Sequence, residues 1–182
     1  MWKYDKMEEA QKELLKKNIL DLTGPSDAEM GLYTRQCIMH LTSVGSPDIT
    51  IHITSDGGPV ETALHVYDSL RLYKGNKTGI VYGFARSSAA IILQACDKRV
   101  CTKHAAILIH HVIAINVSLD VFKNKEKLQK KVLELEKSQK KLYAILCDRT
   151  GRSEKEIIAT CKLNNDMTAE EALKFGLIDE II

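Results

Sequence analysis

No stretch of this 182-residue chain reaches the roughly 18 consecutive apolar residues of a membrane span. The opening Met1-Trp2-Lys3-Tyr4-Asp5-Lys6-Met7-Glu8-Glu9 carries no apolar run, so no secretory leader is expected. There is no low-complexity segment, no fixed-period repeat, and nothing like a P-loop or a dinucleotide fingerprint. An excess of one charge is missing as well. The 26 Lys+Arg against 24 Asp+Glu leave a net charge of +2, too weak to imply nucleic acid or a membrane as partner. Cysteines are few, at 37, 96, 101, 147 and 161. An odd count without a leader reads as free thiols in a reducing cytoplasm, so a cytoplasmic location is expected. What remains is an ordinary globular composition, 45% hydrophobic and 27% charged. A chain of this length buries about 70% of its unfolded surface, so residues 1–182 are expected to form a single domain.

Two periodicities alternate along the chain. Asn18 to Leu22 reads as a strand ending at Gly24-Pro25. Ser26 and Glu29 have the spacing of a capping box opening a helix through His40. Ile49-Thr50-Ile51-His52-Ile53-Thr54 alternates apolar and polar residues as a strand does, and Ser55-Asp56-Gly57-Gly58 breaks it. Val60, Ala63, Leu64, Tyr67 and Leu70 then recur at helical spacing. Thr78 to Tyr82 predicts a strand, Gly83 a turn, and Ser87 to Cys96 an Ala-rich helix. Arg99–Thr102 and Ala106–His110 predict two more strands. Thr168 and Glu171 form a second capping box, closed at Gly176, before a strand over Leu177–Ile182. Such alternation implies an α/β fold with mainly parallel strands. Leu119 to Asp148 differs. Leu128, Val132, Leu135, Leu142 and Leu146 keep near-heptad spacing among Lys and Glu, which predicts one helix about 45 Å long with a seam for a partner.

The residues that can carry chemistry cluster at two strand-to-helix turns, Ser55-Asp56-Gly57-Gly58 and Gly83-Phe84-Ala85-Arg86-Ser87-Ser88-Ala89-Ala90. Each places orphan backbone N–H groups at a helix start, where an anion is favoured. Side by side they would supply the two donors of an oxyanion hole. Ser87 then sits like a nucleophile on a tight turn; the plainer alternative is that it caps the helix. His110 and His111 follow the apolar Ile107-Leu108-Ile109, and neighbours on a strand point to opposite faces, so at most one of them faces Ser87. Histidine is the usual base for a serine hydroxyl. Cys96, Cys101, His104 and His110 are a weak zinc candidate, because their spacing spans a helix end and a strand rather than a knuckle; no metal is expected.

In this order the segments resemble the proteolytic subunit family of the Clp proteases, serine peptidases of crotonase-like fold. The resemblance runs from Leu14 to the C-terminus. It rests on Leu14–Gly24, Ile51–Val60, Val66–Leu70, Gly83–Ser87, Leu108–His110, Thr168–Ala172 and Phe175–Asp179. It implies repeated strand-helix units with a protruding handle helix over about 119–149. It implies Ser87 as nucleophile, His110 as base, and the backbone N–H groups of Gly58 and Ser88 as oxyanion hole. Gly57 and His111, with the strand that follows, would bind peptide by strand addition. Counting back from Thr168 puts Asn164 at the family's triad aspartate, with Asp166 the alternative third member. The resemblance also implies heptameric rings stacked into a tetradecamer around a chamber for polypeptide substrates. No cofactor is implied, ATP being used only by a partner unfoldase.

Departures accompany the match. Asp56 stands in a turn that is Ser-Pro-Gly-Gly in the family, and Arg86 replaces a small residue beside the nucleophile. His111-Val112 replaces Gln-Pro, and Ile113–Ser118 holds no glycine. Three readings follow: a serine endopeptidase of the Clp type, a catalytically weak or inert ring subunit, and an acyl-CoA enzyme of the wider crotonase superfamily. The third leaves Ser87 with His110 without a role.

Overall fold

The computed structural model describes residues 9–182. Most of Met1–Glu9, read above for a leader, lies outside the described residues. After α1 (Glu9–Lys16), strands and helices alternate: β1 (Ile19–Thr23), α2 (Ala28–Ser43), β2 (Ile49–Ser55), α3 (Val60–Leu72), β3 (Lys77–Arg86), α4 (Ser88–Leu93). There follow β4 (Lys98–Cys101), β5 (Ala106–Leu108), α5 (Leu119–Lys123), α6 (Lys125–Thr150), α7 (Glu154–Leu163), α8 (Ala169–Phe175) and β6 (Glu180–Ile181). The sheet order is β1-β2-β3-β4-β6, and every pairing between these strands is parallel. Parallel strands need helical crossovers, and those helices bury both faces. This matches the α/β architecture expected from the alternation.

Strand β3 positions the site. It is ten residues long, and the same edge serves two partners. Thr78–Val81 pairs β4, and Phe84–Arg86 pairs β5. Between them the register against β2 jumps, from Ile53 opposite Val81 to Ser55 opposite Ala85. The bulge is made at Gly83, whose φ of 76° suits a residue without Cβ. Gly83 is therefore not the turn the sequence predicts. The strand continues through it, re-aimed, and carries Arg86 and Ser87 to the sheet's carboxyl end.

Other boundaries differ for local reasons. Helix α2 is capped by Asp27, whose carboxylate accepts from Glu29 N and Met30 N, and not by Ser26. Ser26 is instead fully buried, with its Oγ 3.2 Å from that of Ser55. The predicted long helix breaks at Asn124, whose side chain accepts from Lys127 N and restarts α6. Its seam also divides. Leu142 and Leu146 belong to the chain's own core, whereas Leu128 and Val132 face outward. The final strand shrinks to Glu180–Ile181, because Leu177 and Ile178 are used in the core before pairing begins. The Thr168–Glu171 box and the left-handed Gly176 are as expected, and Ser153 with Glu156 makes another box for α7. Among the described residues no helix is long and apolar enough to cross a membrane.

Candidate active site

Ser87 lies where β3 turns into α4, with φ 54° and ψ −123°. A residue bearing Cβ rarely adopts that conformation, and it persists only where the surroundings over-determine it. Here they do. Ser87 N–H donates to Leu108 O at 2.9 Å, extending the β3–β5 ladder, and Ala90 N–H donates to Ser87 O at 3.1 Å. Every residue of α4 is buried, which fixes the far side of the turn. The Ser87 side chain makes no capping bond. Ser87 lines a cavity of about 680 Å³, shared with Gly58, Ser88, His110 and His111. A sharp strained strand-to-helix turn of this kind presents a nucleophile.

The two glycine turns abut. A Cβ on Gly57 would stand 2.7 Å from Arg86 O and from Ser87 Cβ, and 2.9 Å from Ser88 N, so only glycine fits. One on Gly58 would stand 2.5 Å from Ser26 O. The turn is braced from behind: Ser26 N–H donates to Gly57 O at 2.9 Å, and Gly57 N–H to Ser55 Oγ at 3.1 Å. Ser88 opens α4, so its N–H has no acceptor within the helix. The Gly58 N–H has no backbone acceptor among the described residues. Ser26, read from sequence as a helix cap, is thus a support of this turn.

Leu108 pairs Arg86, so His110, two residues on, reaches the cavity beside Ser87. Its Nδ1 lies 2.6 Å from His111 O. A carbonyl only accepts, so Nδ1 carries a proton, and in the neutral imidazole Nε2 is then the basic nitrogen. The next two residues are tied to α6. His111 Nδ1 lies 2.6 Å from the hydroxyl of buried Tyr143, and Val112 N–H donates to Gln139 Oε1 at 2.5 Å. Among the described residues no hydrogen bond joins Ser87 Oγ to His110. Such bonds are often long before substrate binds and tighten in the complex.

The third triad position is not assembled. Asn164 ends α7 in the left-handed conformation, φ 50°, and is exposed. Asp166 is occupied: Arg86 Nε donates to its Oδ1 at 2.8 Å and Nη2 to its Oδ2 at 2.7 Å, while Nη1 donates to Asp56 Oδ1 at 2.8 Å. Those bonds hold the Asp166 carboxyl below the usual carboxylate range. The segment itself is close, since Met167 exchanges backbone bonds of 2.8 and 3.0 Å with Ile107. Neither Asn164 nor Asp166 hydrogen-bonds His110, whose Nδ1 the chain's own carbonyl takes instead. Arg86 is the feature that sequence reasoning registered only as a departure. Together with Asp56 it links both turns to the Asp166 segment.

Cys96 and Cys101 are buried, and burial pushes their thiols up to about 12 and about 11, away from the thiolate a metal needs. Among the described residues no group of three or more His, Cys, Asp or Glu is placed to hold a metal.

Comparison with known proteins gives the family. The family model described as Clp protease matches residues 3–182. The ATP-dependent Clp protease proteolytic subunit of Carsonella ruddii (strain PV) is 29% identical over 184 aligned residues, covering 99% of this chain and 91% of that protein. The match runs over nearly the whole chain, both glycine turns, Ser87 and His110 included, and on it the chain belongs to the Clp protease family, with its crotonase-like fold.

Proposed function

We propose that the chain is a serine endopeptidase of the Clp type, with Ser87 and His110 as its working pair. The observation that carries this is the strained Ser87 turn, which lines one cavity with His110 while its hydroxyl caps nothing. Ser87 Oγ attacks the scissile carbonyl, and His110 Nε2 takes its proton and returns it to the leaving amine. The N–H groups of Gly58 and Ser88 receive the oxyanion of the tetrahedral intermediate. Water then hydrolyses the acyl-enzyme by the same path. The His111 carbonyl holds Nδ1–H and so fixes the imidazole's tautomer, the orienting half of a triad acid's work. It brings no full negative charge for the imidazolium, so turnover is slow. Peptide backbone lies along Gly57 and the segment after His111.

Assembly into stacked rings around a chamber fits the exposed apolar side chains of Leu119, Phe122, Val132 and Leu133 along the segment of α5 and α6. Threading of substrates into that chamber by an ATP-driven unfoldase fits the name of the relative. Cleavage of an unstructured peptide tests the proposal. Ser87→Ala lowers the rate by about 10³-fold or more, and undiminished cleavage by that variant contradicts it. A second reading, an inert ring subunit, draws on the His111 carbonyl, and not a carboxylate, at His110 Nδ1 among the described residues and on the engagement of Asp166 by Arg86. An intact oligomer in which no peptide is cleaved selects that reading.

A further inference from the structure

Strand β5 ends at Leu108, and from His110 to Val117 no backbone group bonds another backbone group among the described residues. His110 thus stands at the head of a segment that no ladder holds. Helix α6 holds it instead. His111 Nδ1 meets the Tyr143 hydroxyl at 2.6 Å, and Val112 N–H donates to Gln139 Oε1 at 2.5 Å. Gln139 and Tyr143 stand one helical turn apart and share a face with Leu142 and Leu146. Those two leucines lie in the core, so both grips are mounted on the anchored part of the helix.

The carbonyl that takes His110 Nδ1–H and the N–H that Gln139 takes belong to one group. His111 C=O and Val112 N–H are the two ends of a single planar trans peptide unit. Fixing the N–H end fixes the direction of the C=O end. An acceptor on the N–H also polarises the unit, which makes its oxygen the better acceptor. The bond to Val112 is the one hydrogen bond that the Gln139 side chain makes among the described residues, and its Nε2 is buried without a partner. Leaving Nε2 idle is costly, and leucine or methionine at this position would avoid that cost. The grip on the 111–112 peptide is what glutamine adds. We propose that Gln139 is a positioning residue: through the His111–Val112 peptide unit it holds His110 in the Nδ1–H tautomer, and so takes the orienting share of a third triad member from outside the Asn164–Asp166 segment. The inference rests on the peptidase reading for its effect on rate; the state of the imidazole does not depend on turnover.

Gln139→Leu and Gln139→Met remove the acceptor and keep a side chain of similar bulk, whereas Gln139→Glu keeps an acceptor in the same place. Magic-angle-spinning NMR of the full-length protein labelled with ¹⁵N-histidine reads the tautomer at about pH 9, where imidazole is neutral. His110→Ala identifies the signal. His110 is expected as Nδ1–H in the wild type and in Gln139→Glu, and as a mixture of tautomers in the other two. In cleavage of an unstructured peptide, Gln139→Leu and Gln139→Met are expected to lower kcat about tenfold with KM within about twofold of the wild type. Gln139→Glu is expected to recover most of that loss. An Nε2–H tautomer in the wild type overturns the proposal, as does an unmixed Nδ1–H tautomer in both acceptor-free variants or a Gln139→Glu variant as slow as they are. Tautomers that mix as expected in a protein that cleaves no peptide uphold the positioning role and overturn the peptidase reading. Ser87-dependent cleavage at an unchanged rate in both acceptor-free variants does the reverse.

Discussion

Arg99 and Arg86 each grip a carboxylate 80 residues further along the chain with two N–H···O bonds, but in different surroundings. Arg99 is 5% exposed. Besides Asp179 it serves Gln94 Oε1 at 2.6 Å and Gly176 O at 2.8 Å, locking β4 to the end of α8. Burial raises the Asp179 pKa, the bonds from Arg99 outweigh it, and the carboxyl ends below its ordinary value. Arg86 has a third of its side chain in solvent, lies over the Phe84 ring and divides its donors between Asp166 and Asp56. Both carboxylates are partly in water, but Arg99 is buried and Arg86 is not, so water screens the second pair more than the first. The same bonds therefore serve stability in one place, and in the other serve the alignment of the turn that holds Ser87.

Removing each arginine separates these roles. Arg99→Ala leaves an amide oxygen and two carbonyls without their donor and is expected to lower unfolding free energy by about 3 kcal/mol, read by urea denaturation. A loss as small as that of a surface pair breaks the comparison. Arg86→Ala is expected to cost about 1 kcal/mol or less in the same assay and to lower kcat/KM about tenfold, because the Ser55–Gly58 turn loses its tie to the Asp166 segment. A large stability loss with unchanged kinetics inverts the assignment. Asn164→Asp is expected to alter kcat about twofold or less, since Nδ1 of His110 is already held by His111 O. A tenfold rise instead places the new carboxylate against the imidazole.

The smallest effect is in titration. The Asp166 carboxyl stands below its ordinary value of 3.8 in the folded chain because of Arg86. A lowered folded pKa gives a contribution that is complete above the unfolded pKa and is lost as pH falls through the folded one. The Arg86–Asp166 link therefore persists through neutral and mildly acidic pH and opens only below the usual carboxylate range. Carboxyl NMR is expected to show the Asp166 midpoint rising toward its ordinary value in Arg86→Ala, and no movement contradicts the link.

Local signals were legible where neighbours in sequence are neighbours in space. Strand β2 shows as alternation, α3 as helical spacing, and the Thr168–Glu171 box as a cap. Ser26 misled because two adjacent residues can each cap a helix, and burial against Ser55 and Gly57 decided for Asp27. The run from Leu119 to Asp148 keeps its heptad spacing across Asn124, so the restart of α6 was hidden in it. At the site, Ser87, His110 and the glycines show through motif order. The Arg86 clasp, the Nδ1 bond to the His111 carbonyl and the Tyr143 and Gln139 contacts do not, because each depends on tertiary placement or on a side-chain rotamer.

Whether Ser87 is a nucleophile activated by His110 is tested by a fluorophosphonate probe followed by peptide mapping. A covalent adduct on Ser87 is expected, formed at neutral pH and lost in His110→Ala. An unlabelled Ser87, or an adduct formed as fast without the imidazole, contradicts that activation.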